Sequence, residues 1–298
     1  MEYLSVSEIA KKWGVSERSV RNYCASGKID GAFLTGKTWN IPFDAQKPKR
    51  ANCAVGEPKC LRDILATEKS AKLSGGIYHK IQIDLTYNSN RIEGSRLTHD
   101  QTRFIFETNT VAADGGAVVV DDIVETANHF KCVDMVIDRA AKPITESFIK
   151  ELHRVLKSGT TDARRDYFAV GEYKRLPNTV GDMPTARPEE VAEKMKALLR
   201  DYNSQGKKTL DELLDFHYRF ECIHPFQDGN GRVGRLLLFK ECLKYDVVPF
   251  IIDDELKLFY YRGLREWKNE RGYLRDTCLA AQDKFKRLLD YFGIAYNK

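Results

Sequence analysis

His224-Pro225-Phe226-Gln227-Asp228-Gly229-Asn230-Gly231-Arg232-Val233-Gly234-Arg235 is the stretch against which the rest of the chain is read. Upstream of it, Leu210, Leu213, Leu214, Phe216 and Phe220 recur at helical spacing, and Thr209 with Glu212 makes a capping box, so a helix is expected from about Thr209 toward Cys222. Pro225 ends it. The residue before a proline is pushed out of the right-handed helical region, which puts His224 at the helix end with its ring free to face a cleft. A second helix is expected to begin near Asn230 or Gly231.

Gly229 and Gly231 allow a tight turn and a close approach of backbone to ligand, and the free N–H groups of the second helix then point into that turn. Such a helix start favours an anion, usually phosphate. Arg232 and Arg235 are three apart and share a helix face, so both can reach back toward it. Asp228 would repel a phosphate unless a magnesium ion stands between them, which argues for a metal-bound nucleotide. A lone histidine before proline is usually structural, and a lone Gly-Asn-Gly is usually only a turn; in combination with Asp228 and two arginines they read as a site. Gly229, Gly231 and Gly234 also satisfy a dinucleotide-binding spacing, but the segment before them reads as helix rather than strand.

The twelve residues resemble the signature of the Fic (filamentation induced by cyclic AMP) family, His-Pro-Phe-x-Asp/Glu-Gly-Asn-Gly-Arg-x-x-Arg, at every fixed position. The resemblance implies a mainly α fold that transfers AMP from Mg-ATP to a hydroxyl of a target protein. It implies His224 as general base, Asp228 as the Mg2+ ligand, Gly229, Asn230 and Gly231 as the phosphate cradle, and Arg232 and Arg235 as the polyphosphate grip. Further on, Tyr260-Tyr261 resembles an aromatic pair that contacts the nucleotide in this family, with core packing as the plainer reading.

The chain has 298 residues, 42% apolar and 31% charged, the composition of a globular protein with one large or two smaller cores. No apolar run approaches the length of a membrane span and no signal peptide is seen, so a cytoplasmic protein is expected. Seven cysteines without C-x-x-C spacing are expected to be reduced.

Residues 1–45 read as a unit of their own. Ser5 and Glu8 make a capping box, Ile9, Ala10 and Trp13 give a helical face, Gly14-Val15 turns, and Ser16 caps a second helix carrying Val20 and Tyr23. Phe33 to Ile41, broken at Gly36-Lys37, reads as a hairpin wing. The segment resembles the winged helix-turn-helix of excisionase and MerR-type regulators. Residues 1–50 hold nine Lys plus Arg against five Asp plus Glu, which is +4 of the chain's net +5. Docked on DNA, the second helix would place Arg18, Arg21 and Asn22 near base edges and Lys28 and Lys37 near phosphates. A small domain that recruits protein is the alternative. Residues 46–60, with prolines and few large apolar groups, read as a linker to a body over 61–298.

After Gly76, Ile77, Ile81, Leu85 and Ile92 form one apolar stripe, with Ser89 and Glu93 at its edge and Gly94 as C-cap, so a helix is expected over about 76–94. Alone, this is a core helix with a solvated edge. Ser89-Asn90-Arg91-Ile92-Glu93-Gly94 also resembles the inhibitory motif Ser/Thr-x-x-x-Glu-Gly/Asn of Fic proteins, which implies a bidentate pairing of Glu93 with Arg235. Helices are expected from the Thr98/Gln101 capping box, over Asp121 to about Arg139, and over Ile144 to Leu156. His99, His129, His153 and His217 are read as structural or exposed. Tyr167 to Met183 has little helical pattern and resembles the Fic flap, a β-hairpin on which a target strand is laid, with Lys174 where the family more often has Arg.

The expectation is thus a small helix-turn-helix head on a mainly α body, a protein adenylyltransferase using ATP and Mg2+ under internal inhibition. Its expected partners are a hydroxyl-bearing target protein, the chain itself as target, DNA through residues 1–45 and a second copy in a homodimer. Removal of AMP by the same site, and a DNA-binding regulator that senses ATP, are the alternatives.

Overall fold

The computed structural model describes residues 3–25, 27–36, 38–48, 60–112, 117–181, 183–204 and 206–296. Lys37 and most of the expected linker lie outside them. The chain divides into two compact units, Met1–Pro58 and Lys59–Lys298.

In the first unit, β1 (Tyr3–Leu4) leads into α1 (Val6–Trp13), α2 (Glu17–Ala25), β2 (Phe33–Thr35) and β3 (Thr38–Pro42). Ser5 and Glu8 cap α1 reciprocally, and Gly14 ends it in the left-handed region at φ 63°. The strands form an antiparallel sheet in the order β1-β3-β2. A small core of Val6, Ile9, Val20, Cys24, Ile29 and Ile41 joins helices to sheet. Arg18, Arg21 and Asn22 lie at i, i+3 and i+4 on the exposed side of α2, and Lys28 is exposed just beyond it. Arg21 also pairs with Glu17, at 2.9 Å.

The second unit is helical: α3 (Leu61–Ser70), α4 (Ile77–Ile92), α5 (His99–Thr108), α6 (Val120–Asp138), α7 (Glu146–Lys157), α8 (Pro188–Asn203), α9 (Leu210–Ile223), α10 (Asn230–Tyr245), α11 (Lys257–Glu266) and α12 (Gly272–Phe292). Between α7 and α8 lies a two-stranded hairpin, β4 (Thr179–Val180) with β5 (Met183–Pro184). Helix α10 runs through the centre. Leu236, Leu237, Leu238 and Phe239 face in every direction around it and all are buried, so it must be covered on all sides. Helices α9, α6, α7, α3 and α4 supply the cover. Each such side chain stabilises the fold by roughly 1.5–3 kcal/mol relative to exposure. A buried cation ties this helix to its neighbours: Lys240 donates to Glu241 at 2.7 Å and to the carbonyls of Ala140 and Lys142 just past the end of α6. No helix among the described residues is long and apolar enough to cross a membrane.

Candidate active site

Helix α9 is started by Thr209 and Glu212, each capping the other's backbone N–H, and stopped by His224 in the left-handed region at φ 51°, ψ 63°. Pro225 disfavours the right-handed helical region at His224, and the chain there takes the left-handed region rather than the extended one, which swings it off the helix axis. The turn is then locked. Asn230 accepts from the Phe226 N–H at 2.7 Å and donates back to the Phe226 carbonyl at 2.8 Å. The Asn230 side chain therefore serves the loop rather than the cleft. Gly229, at φ 79°, is the N-cap of α10, where a side chain would be strained.

His153, read as structural, secures the turn from α7. Its ring stacks on Phe226 at 3.9 Å between centroids. Nδ1 accepts from the Gly171 N–H at 2.9 Å, so Nε2 carries the proton and donates to the Asp228 carbonyl at 3.2 Å.

Arg232 and Arg235 do not share one partner. Arg232 is buried against Glu125 of α6 and against Asp228, at 3.1 Å. Arg235 turns to the end of α4: Nε donates to Ser89 Oγ at 3.0 Å, and Nη2 donates to the Ser89 carbonyl at 2.9 Å and to Glu93 Oε1 at 2.7 Å. The contact is thus not the bidentate fork expected from the sequence. Ser89, one turn before Glu93 on the same helix face, takes up the rest of the guanidinium. Burial works to push the Glu93 carboxyl up, and the charges of Arg235 and Arg232 outweigh it and hold the group below its ordinary value. Glu93 Oε1 also fills the space above Gly231, where a Cβ would collide with it.

Asp228 belongs to a charge cluster that sequence spacing did not reveal. Lys157, at the end of α7, donates to Asp228 at 2.7 Å, to Asp162 at 2.9 Å and to Glu125. Burial opposes ionisation of Asp228, but Arg232 and Lys157 more than cancel it and hold the carboxyl well below the usual carboxylate range. Its side chain stays 47% exposed at the rim. The described residues contain no group of three or more ligand-type side chains of the kind that cages a metal. One half-exposed carboxylate beside a phosphate-type helix start instead fits magnesium that arrives with a nucleotide and keeps most of its ligands from water and phosphate.

The cleft, about 510 Å³, is lined by Glu93, His224, Gly231, Arg235 and the flap residue Val180 together with Tyr261. Burial, and then the charge of Lys174, push the His224 imidazole down to about 4, so it is neutral at pH 7. The two tyrosines divide. Tyr260 is 1% exposed, with its hydroxyl 2.6 Å from His217 Nε2, whereas Tyr261 is 37% exposed on the cleft. Lys174 anchors the flap: its ammonium donates to Asn178 Oδ1 and Thr185 Oγ1, both at 2.6 Å, and its N–H donates to the Pro225 carbonyl at 2.8 Å.

Residues 143–241 match the Fic/DOC family. The protein adenylyltransferase Fic of Drosophila melanogaster is 32% identical over 214 residues, which are 69% of this chain and 41% of that protein. The chain thus spans well under half the length of the curated relatives it matches. Among solved structures, a Fic-domain signalling protein from Bacteroides thetaiotaomicron is 29% identical with a TM-score of 0.58, covering 77% of this chain and 90% of that one. Fic-1 from C. elegans, 21% identical with a TM-score of 0.61 over 78% of this chain and 69% of that one, shares the fold. This chain therefore carries a Fic domain of the Fic/DOC family, with the His224–Arg235 turn inside it.

Proposed function

We propose that the chain is a protein adenylyltransferase that transfers AMP from Mg-ATP to a hydroxyl of a target protein and is restrained by Glu93. The observation that carries this reading is the Glu93 carboxylate seated over Gly231 and against Arg235, at a helix start suited to phosphate. A side-chain anion there occupies the ground that a nucleotide phosphate would need.

The chemistry follows from the residues. A hydroxyl is a weak nucleophile, and His224, neutral at pH 7, accepts its proton as the oxygen attacks the α-phosphorus. The bond from the α-phosphorus to its bridging oxygen breaks, and pyrophosphate leaves with the electron pair. Arg235, once free of Glu93, stabilises that charge. Asp228 would hold magnesium, which supplies further charge neutralisation when bound. Lys157 and Arg232 fix the Asp228 carboxylate. Tyr261 is the exposed member of the aromatic pair and the better placed to meet the nucleotide.

Residues 1–45 serve on this reading as a DNA-docking head, supported by the exposed Arg18, Arg21 and Asn22 on one side of α2 and by the positive charge of the segment. Binding that weakens steeply with salt is the expected signature, and no binding at low salt would remove it. The six described cysteines are free thiols, which supports a reducing, cytoplasmic setting.

The deciding experiment is incubation of wild type, Glu93→Gly and Glu93→Gly/His224→Ala proteins with Mg-ATP, followed by intact mass. A gain of one AMP on the single mutant alone is expected, with the second substitution costing on the order of 100-fold to 10,000-fold. If the double mutant gains AMP as fast as the single mutant, His224 is not the base. If no protein gains AMP, and a pre-AMPylated substrate loses it, the reverse reaction takes the place of this reading.

A further inference from the structure

One face of α9 carries His217, Glu221 and, at its end, His224, spaced four and three residues apart. Each presents a buried polar atom that makes no well-formed hydrogen bond, Nδ1 of His217, Oε1 of Glu221 and Nδ1 of His224, and the backbone carbonyls that face the two rings are those of Gly234 and of Glu221 itself. An unsatisfied buried group costs about 1–3 kcal/mol, so three together call for a physical reason. Glu221 Oε2 lies 3.9 Å from His224 Nδ1, one short adjustment from a hydrogen bond. The opposite wall is Gly234 of α10, where a Cβ would collide with Glu221 Oε1 and come within 3.0 Å of the His217 ring. The His217 ring is fixed from behind by the Tyr260 hydroxyl, at 2.6 Å. The bare backbone at Gly234 thus makes room for a carboxyl beside the proposed base.

We propose that Glu221 is a positioning residue for His224: its carboxylate accepts the Nδ1 proton of the imidazole, fixes the ring's tautomer, and leaves the other ring nitrogen to take the proton of the target hydroxyl. This rests on the reading of His224 as the base. When that proton arrives the ring becomes an imidazolium, and the carboxylate at Nδ1 offsets its charge. No proton need pass to Glu221.

The pairing depends on ionisation. Burial pushes the Glu221 carboxyl up to about 8, against the pull of Arg235 and with the push of Glu93. Tyr260 and Tyr261 of α11 face it as well, and His217 stands one turn before it on its own helix. At neutral pH the group therefore keeps its proton and is a weak acceptor; above about 8 it is a carboxylate and a strong one. On the His224 side stands Lys174, pushed down to about 8 by burial and then by Lys194, and its loss of charge would also make the imidazole more basic. The test must separate these two groups.

The test follows the His224 ring nitrogens of the whole chain by 15N NMR from pH 6 to 10, in wild type and Glu221→Gln, with the His224 signals assigned by their loss in His224→Ala. The expected result is a shift of the His224 nitrogens with a midpoint near 8 in wild type that is absent in Glu221→Gln. Unchanged signals from the other histidines report that the near-isosteric variant is folded. A shift that persists in Glu221→Gln, which would assign it to Lys174, overturns the proposal, as does no shift in wild type. The same substitution in the Glu93→Gly background is expected to abolish a rise of AMP self-transfer with pH whose midpoint lies below that of wild type, since the push of Glu93 is gone. If Glu93→Gly transfers no AMP at any pH, the functional reading fails, and the ring titration still decides the role of Glu221.

Discussion

Glu93 Oε1 lies 2.7 Å from Arg235 Nη2, joining the end of α4 to the second turn of α10 across 142 residues of sequence. A charge-assisted hydrogen bond of this kind is among the stronger single contacts in a protein, and here it occupies a guanidinium facing the cleft. If the closed arrangement is favoured by about 1.4–2.8 kcal/mol, Glu93→Gly raises AMP transfer roughly 10-fold to 100-fold. Initial rates measured by incorporation of labelled AMP check this. An unchanged rate removes Glu93 from regulation. Ser89→Ala, which deletes only the Oγ contact, is expected to give a smaller rise in the same assay.

Lys157 holds three carboxylates, Glu125, Asp162 and Asp228, while itself only 2% exposed. Removing one partner of a buried ionic group leaves uncompensated charge and typically costs about 3–5 kcal/mol. Lys157→Met is expected to lose stability on that scale. The folded-state pKa of Asp228 is depressed, so its contribution is fully present above the unfolded value of about 3.9 and lost as pH falls through the lower folded value. Urea unfolding at pH 7 and at pH 5, both above the unfolded value, should therefore show similar deficits. A deficit below about 1 kcal/mol would mean that Arg232 alone balances the cluster.

The helix–turn–helix of the site was legible in the sequence because its signals are local. Thr209 and Glu212 mark a start, Pro225 a stop, and Gly229 the next start, all within hydrogen-bonding reach along the chain. The same holds for the boxes at Ser5/Glu8 and Thr98/Gln101. Lys157 and Glu125 had no such signal: they reach Asp228 and Arg232 only through the packing of α6 and α7 on α10. His153 was equally hidden, since nothing in its own helix shows that it holds the backbone of residue 228. The division of Tyr260 from Tyr261 was readable in principle. Successive residues on a helix point about 100° apart, so two neighbours rarely face the same cleft.

Gly263 tests how rigidly α11 is held. A Cβ at this position would lie 2.5 Å from the Leu274 Cα and 2.7 Å from its backbone nitrogen in α12. Backbone cannot swing aside as the end of a side chain can, so the helices must separate. Gly263→Ala is expected to destabilise the protein by about 1–3 kcal/mol in urea unfolding and to displace Tyr261, weakening Mg-ATP binding by the Glu93→Gly protein in calorimetry. Unaltered stability would mean that α11 and α12 can part at little cost.

The buried ionisable groups also set how stability varies with pH. Burial comes first among the causes that push His129, His153 and His217 down to about 3 and His224 to about 4. The unfolded value is about 6.5, so between these limits the unfolded chain binds protons that the native protein refuses. Stability therefore rises with pH up to about 6.5, by as much as about 1.36 kcal/mol per pH unit for each ring. Glu221 acts in the opposite sense. Raised by burial to about 8 from an unfolded value of about 4.3, it keeps in the native state a proton that the unfolded chain releases, and stability falls as pH rises between those values. Below about 7 the four histidines together outweigh it; between about 7 and 8 it outweighs them. Lys174, lowered to about 8 from about 10.4, begins to lose its proton in the native state over the same interval, and the rise in stability this brings offsets most of the fall due to Glu221. Unfolding free energies measured in half-unit steps from pH 5 to 8.5 should thus rise to about 7 and then stay nearly level to 8, and Glu221→Gln should turn the level stretch into a continued rise while keeping the acid limb. A Glu221→Gln curve as level as wild type over that stretch would mean that Glu221 holds no proton in the native state between about pH 7 and 8, and the alkaline step expected at the His224 ring would be lost with it.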